Sequence, residues 1–188
     1  SRGLGDVYKR QVLLLSILQL SMASAITTVT FYAEDKVTPK TSGNVGDKIW
    51  IEGTGASPGV LVSIYWDKVQ AANKLNETWA DGTGDFECFV TIPVDVYGAH
   101  YIIASDGLTA VKSASFTIVP KITLNPSTGL KDDVVTVTGK GFASEEVVTL
   151  KWDTTTLTTT PTEVKTSTKG SFTCTFKVPV AVYAVYTV

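Results

Sequence analysis

Only two cysteines, Cys88 and Cys174, and a single histidine, His100, occur in the 188 residues. Two thiols support no disulfide framework of the kind that holds small secreted domains together. One imidazole, with no nucleophile or orienting carboxylate arranged around it in sequence, supports no catalytic triad. Basic clusters are absent and the net charge is −2, so nucleic acid finds no electrostatic footprint. No apolar run reaches the ~20 residues that a spanning helix needs. After residue 25 no window carries the 3.6-residue period of a ten-residue helix.

The longest mostly apolar stretch is Val12 to Ala25, VLLLSILQLSMASA, ending in Ala23-Ser24-Ala25. That is the apolar region and A-x-A site of a cleavable secretion signal, with Ile26 as the expected mature N-terminus. Ahead of it, residues 1–11 (SRGLGDVYKRQ) resemble the in-frame translation of a sequencing-library adapter and are set aside from fold reasoning. The mature chain would then hold 163 residues, with 13 basic against 17 acidic side chains.

An internal repeat organises what remains. Shifted by 86 residues, Gly43–Ile102 lies over Gly129–Val188 without a gap, and fifteen of the sixty pairs are identical. The identities include Gly53/Gly139, Gly55/Gly141, Trp66/Trp152, Asp67/Asp153, Gly84/Gly170, Phe86/Phe172, Cys88/Cys174 and Pro93/Pro179. Concentration in Gly, Trp, Phe and Pro is what duplication of one structural unit leaves behind. Within each unit the apolar period is two. Ile49 and Ile51 alternate with Trp50 and Glu52, Val62, Ile64 and Trp66 with Ser63 and Tyr65, and Phe86, Cys88 and Val90 with Glu87 and Phe89. Short Val/Ile/Thr-rich runs broken by Gly, Pro, Asn and Asp every eight to twelve residues predict an all-β fold. The expected architecture is two tandem immunoglobulin-like antiparallel β-sandwiches, residues 26–119 and 120–188. Val119-Pro120-Lys121 makes a short junction that predicts stacked modules. The second module is expected to be incomplete, because nothing corresponds to Ala104–Val119, leaving an unpaired edge at Tyr183–Val188. Trp66 and Trp152 are predicted as equivalent core residues.

Lys121–Trp152 resembles the opening half of the IPT/TIG-type immunoglobulin-like repeats of prokaryotic surface proteins. The resemblance rests on Asn125-Pro126-Ser127-Thr128-Gly129 and on Val135 through Phe142 (VTVTGKGF), and continues from Gly170-Ser171-Phe172 to Val178-Pro179. The first module departs from it: Thr38–Gly43 is spaced differently, and Ala56 replaces Phe142. The resemblance implies extracellular adhesion, stalk, surface-layer or enzyme-accessory roles, with no shared catalytic residues and no cofactor.

Five local patterns bear on chemistry. Gly55-Ala56-Ser57-Pro58-Gly59 fits G-x-S-x-G, but Pro58 has no N–H to donate to an oxyanion hole, so a nucleophile is rejected. Asp81-Gly82-Thr83-Gly84-Asp85 clusters carboxylates as calcium would want, yet its counterpart is Ser167-Thr168-Lys169-Gly170, so it reads as a hairpin turn. His100 aligns with Tyr186 and reads as a polar ring bonded to nearby backbone at a strand corner. Cys88 and Cys174 occupy one inward position in separate modules, too far apart to bridge. Asn76-Glu77-Thr78 is a glycosylation sequon that the sequence leaves undecided.

One asymmetry between the repeats points to a surface. Outward positions carry Trp50, Tyr65, Trp79 and Phe89 in the first module but Thr136, Lys151, Lys165 and Thr175 in the second. Trp50 is expected beside Phe89 on one sheet, and Tyr65 beside Trp79 on the other. Such faces suit a glycan, a neighbouring domain, or simply cross-strand aromatic pairs. The sequence therefore predicts a non-catalytic structural or adhesive region of a secreted or cell-surface protein. Its partners would be neighbouring domains, glycans or other surface proteins. The alternative is a carbohydrate-binding accessory region of a secreted hydrolase.

Overall fold

The computed structural model describes residues 25–180. The adapter-like residues, nearly all of the signal-like segment and the expected edge at Tyr183–Val188 lie outside them. The described chain is all-β, with one 3-10 turn at Ala71–Asn73. Among the described residues no helix is long and apolar enough to cross a membrane.

The first half holds β1 (Thr28–Tyr32), β2 (Ser42–Gly43), β3 (Lys48–Thr54), β4 (Leu61–Trp66), β5 (Lys74–Trp79), β6 (Phe86–Thr91), β7 (Gly98–Ser105) and β8 (Ala110–Ile118). They form a three-stranded sheet in the order β1-β3-β6 and a five-stranded sheet in the order β2-β8-β7-β4-β5. One apolar core lies between them, with Phe31, Ile49, Ile51, Val62, Ile64, Trp66, Phe86, Val90, Ile102 and Phe116 all buried. This is a β-sandwich, and strand alternation built it. Within each strand these core residues sit two positions apart, so the residues between them face outward.

One strand departs from simple alternation. Tyr101 lies opposite Ser115 but Ile103 opposite Lys112, so two steps of β7 span three of β8. This bulge breaks the alternation that the spacing of Ala114, Phe116 and Ile118 would give: Ala114 faces solvent and Ser113 lies inside. Ser113 tolerates burial because its Oγ accepts the Ile102 N–H at 3.0 Å and donates to the Ala114 carbonyl.

The second half holds β9 (Lys121–Asn125), β10 (Val134–Lys140), β11 (Val147–Val148), β12 (Lys151–Trp152), β13 (Thr155–Thr156), β14 (Thr159–Thr160), β15 (Val164–Lys165) and β16 (Phe172–Lys177). A four-stranded sheet, β14-β16-β10-β9, is accompanied by two-stranded pieces β11-β15 and β12-β13. They enclose a separate core of Val135, Val137, Leu150, Val164, Phe172, Cys174, Phe176 and Val178. The repeat holds at the level of hydrogen-bond register. Ile51 faces Cys88 and Gly53 faces Phe86, and 86 residues on Val137 faces Cys174 and Gly139 faces Phe172. The glycine is required: a Cβ on Gly53 or Gly139 would overlap the ring of the phenylalanine opposite.

Trp66 is buried as expected, but Trp152 is only half-buried. The rings that cover Trp66, His100 and Phe116, stand on β7 and β8. Trp152 meets Phe176 edge-on at 6.2 Å and lines an open groove of ≈ 680 Å³ with Leu157, Pro179 and Val180.

The two sandwiches meet with almost no linker. β8 ends at Ile118 and β9 begins at Lys121. The connecting residues are tied back to the first sandwich, Val119 N–H bonding the Gly43 carbonyl and Asn44 Nδ2 donating to the Val119 carbonyl. Gly141 packs so close to this connection that a Cβ there would come within 2.8 Å of Ile118 Cγ2.

Candidate functional site

The four outward aromatics divide into one real pair and two separate residues. Trp50 and Phe89 are cross-strand partners with ring centroids 4.6 Å apart at 62°. They are not an open platform. The first module has seven residues more than the second between its first strand and the aligned glycine, Gly43 against Gly129. That extra loop carries Lys36, at φ 62°, over the Trp50 ring with its ammonium 3.6 Å from the centroid. Lys48 lies 4.1 Å from the Phe89 ring. Trp50 Nε1 donates to Glu52 at 2.9 Å, and the residue is only 5 % exposed.

Tyr65 and Trp79 do not come together. Trp79 lies opposite Leu61 and Tyr65 opposite Lys74, which puts them about 13 Å apart along the ribbon at ~3.3 Å per residue. The expectation took the right face but the wrong end of an edge strand that a bulge shortens. Trp79 alone is open, 67 % exposed.

The sequence-flagged loops prove to be turns. Asp81 Oδ1 accepts N–H bonds from Thr83 and Asp85 at 2.8 and 2.9 Å and the Thr83 hydroxyl at 2.7 Å. The Thr83 hydroxyl, with those two N–H groups, holds its carboxyl below the ordinary range. Ser167 repeats the pattern, its Oγ accepting N–H bonds from Lys169 and Ser171. Ser57 lies in the β3–β4 loop beside no histidine. Asn76 sits on edge strand β5, its Nδ2 donating to the Phe89 carbonyl at 2.7 Å. Both cysteines are free and buried. Burial pushes the Cys88 thiol up to about 11 and raises Cys174 as well.

The most connected polar group lies where the sandwiches meet, and sequence reading took only one member of it. His100, 7 % exposed on β7, stacks on Trp66 at 4.9 Å and 24°. Its Nε2 bonds the Val96 carbonyl at 3.0 Å, the backbone bond expected of it. Its Nδ1 bonds Asp67 Oδ2 at 2.7 Å, a carboxylate that sequence alone did not bring to it. Asp67, the residue after β4, sits at φ 58° and clamps β7 with its other oxygen, which accepts the Tyr101 N–H at 2.7 Å. Asp95, on the β6–β7 loop, accepts the Trp66 indole N–H at 3.2 Å and the Val96 N–H at 2.9 Å. Lys169 of the second sandwich reaches Asp95 Oδ2 at 3.0 Å. The next residue but one, Tyr97, donates its N–H to the Phe142 carbonyl of the second sandwich at 3.1 Å.

Burial pushes the Asp95 carboxyl up, but the Lys169 and Val96 bonds and the nearby charges of Lys169 and His100 hold it below its ordinary value. Ligand atoms of Asp67, Asp95 and His100 lie within 4.8 Å of one another, spacing at which a metal ion would fit. Each of those atoms is already engaged, however, and the cation that Asp95 meets is the Lys169 ammonium. Chemically this arrangement holds a joint; no serine, threonine or cysteine is bonded to the imidazole.

No protein-family model matches the chain, and a search of curated proteins finds no match.

Proposed function

We propose that the chain is a non-catalytic structural region of a secreted or cell-surface protein, in which immunoglobulin-like sandwiches of the IPT/TIG kind hold other parts of the molecule at a fixed spacing and orientation. The observation that supports it most is the joint. A spacer transmits orientation only if its units do not swing, and here two residues of linker are flanked by side contacts on both sequence arms. Tyr97 to Phe142 and Asp95 to Lys169 bridge the sandwiches at a distance from the covalent connection. Two points of contact resist bending where one would act as a hinge. The signal-like Val12 to Ala25 supports a location outside the cytoplasm.

The test is orientation in solution. Residual dipolar couplings of residues 26–188 near pH 5.5, in a weakly aligning medium, should fit one alignment tensor for both sandwiches. Two independent tensors would remove the spacer reading.

The carbohydrate-binding alternative keeps one supporting observation, the open indole of Trp79 beside Leu61 on the outer face. It loses the other half of its platform, because Trp50 lies under Lys36. Titration with soluble polysaccharides, read by Trp fluorescence in the native chain and in Trp79→Ala, separates the two readings.

A further inference from the structure

Both ring nitrogens of His100 face acceptors. Nδ1 meets the Asp67 carboxylate and Nε2 the Val96 carbonyl, and neither partner carries a proton to give at neutral pH. A neutral imidazole has one N–H, so one contact becomes a lone pair facing a lone pair. Only the doubly protonated ring makes both bonds.

The Val96 carbonyl and the Tyr97 N–H belong to one planar peptide unit. His100 holds the carbonyl end, and the N–H end donates to Phe142 of the second sandwich. The preceding peptide is held in the same way, with the Val96 N–H on Asp95 Oδ1 while Asp95 Oδ2 receives Lys169. Thus the two hydrogen-bonded contacts that join the sandwiches away from the connection, Tyr97 to Phe142 and Asp95 to Lys169, both pass through Asp95–Tyr97, and His100 fixes the orientation of that segment from below. We propose that protonation of His100 locks the joint between the two sandwiches and that its deprotonation loosens it, making the pair a pH-sensitive spacer.

This rests on the stiff-joint reading above. The charged groups around the imidazole are Asp67 from the end of β4, Asp95 from the β6–β7 loop and, beyond Asp95, Lys169; β8 presents Phe116 opposite His100. The sign follows from which form is bonded: the lock is present in acid and lost as pH rises through the histidine range. Asp95 does not cancel this. Its carboxyl is held below the ordinary range, so it keeps its charge through mildly acidic pH.

The experiment uses the mature chain, residues 26–188, with dipolar couplings at about pH 5.5 and about pH 8.5, either side of the usual histidine value of ~6.5. Imidazole nitrogen shifts are recorded in the same samples. The expected result is a single alignment tensor with both nitrogens protonated at the lower pH, and two tensors with one nitrogen bare at the higher. His100→Gln should give the same couplings at both pH values. Lys169→Gln should loosen the joint at both while leaving the imidazole able to titrate. One tensor at both pH values, with the ring seen to lose its proton, would overturn the switch and leave the stiff joint standing. A singly protonated ring at pH 5.5 within a one-tensor pair would overturn it too. Two tensors already at pH 5.5 would overturn the joint itself.

Discussion

Trp50→Thr gives the second sandwich's residue to the first and asks whether an outward aromatic is surface or structure. Burial of an aromatic ring removes ~150–250 Å² from water, which at ~25 cal/mol/Å² is about 4–6 kcal/mol before corrections. Compactness of the unfolded chain lowers that by roughly 10–40 %. Thr keeps part of the contact, and Lys36, from an exposed loop, can settle into the space. A loss of about 2–4 kcal/mol is left. Urea unfolding should show it as a midpoint lower by about 1–2 M, given a slope of about 2 kcal/mol/M, the middle of the usual range for small proteins. Lys36→Gln isolates the cation–π share and should cost about 0.5–1 kcal/mol. Trp79→Lys is the control on the opposite sheet: at 67 % exposure it should stay within about 0.5 kcal/mol of the parent. Equal, small effects at positions 50 and 79 would refute the burial of Trp50 beneath the Lys36 loop.

Gly139→Ala should destabilise the second sandwich by at least about 1–3 kcal/mol through overpacking against Phe172, and Phe172→Leu should recover part of that loss by vacating the space. At pH 8 both buried thiols should resist alkylation in the native chain: Cys88, near 11, is ionised in only about one molecule in a thousand, and burial raises Cys174 as well; both should react after unfolding without reductant, and an intramolecular disulfide would contradict the two-core arrangement. Stability should fall in acid. Asp47, Asp95 and Asp106 are each pushed up by burial but held lower by hydrogen bonds, from Asn44 and Lys40, from Lys169 and Val96, and from Thr109 and Leu108. Their folded values lie below the unfolded ones, so their contribution is complete above the ordinary carboxylate range and drains away as pH drops through the lowered values. A stability that rises between about pH 5 and pH 3 in urea titrations would contradict the sign.

Strand phase was readable because burial in a sandwich follows a period of two, and an ungapped repeat checks each assignment twice. Trp50 beside Phe89 follows from that phase together with the expected pairing of its strand with the one that starts at Phe86. What phase does not contain is coverage. The loop carrying Lys36 exists only in the first copy, so no counterpart marked it, and an outward Trp became a buried one. Tyr65 and Trp79 failed for a related reason: alternation gives the face, while the bulged register of an edge strand decides which residues stand opposite. Ser113 and Ala114 exchanged places through a second bulge. The joint was half legible. Trp66-Asp67 repeats as Trp152-Asp153, a sign that the carboxylate after that Trp has a structural task, which in the first sandwich is to bond His100 and the Tyr101 N–H. Lys169 and Phe142 stand where the first copy has Thr83 and Ala56, so the contact pair has no echo in the repeat. Only the folded arrangement shows that Asp95 and Lys169 meet.

Backbone ¹⁵N relaxation on residues 26–188 near pH 5.5 tests the central claim most directly. If the two sandwiches form one stiff pair, a single anisotropic rotational diffusion tensor will fit the amides of both, with the long axis shared. Two separate tensors, each with the shorter correlation time of a lone sandwich, would contradict it.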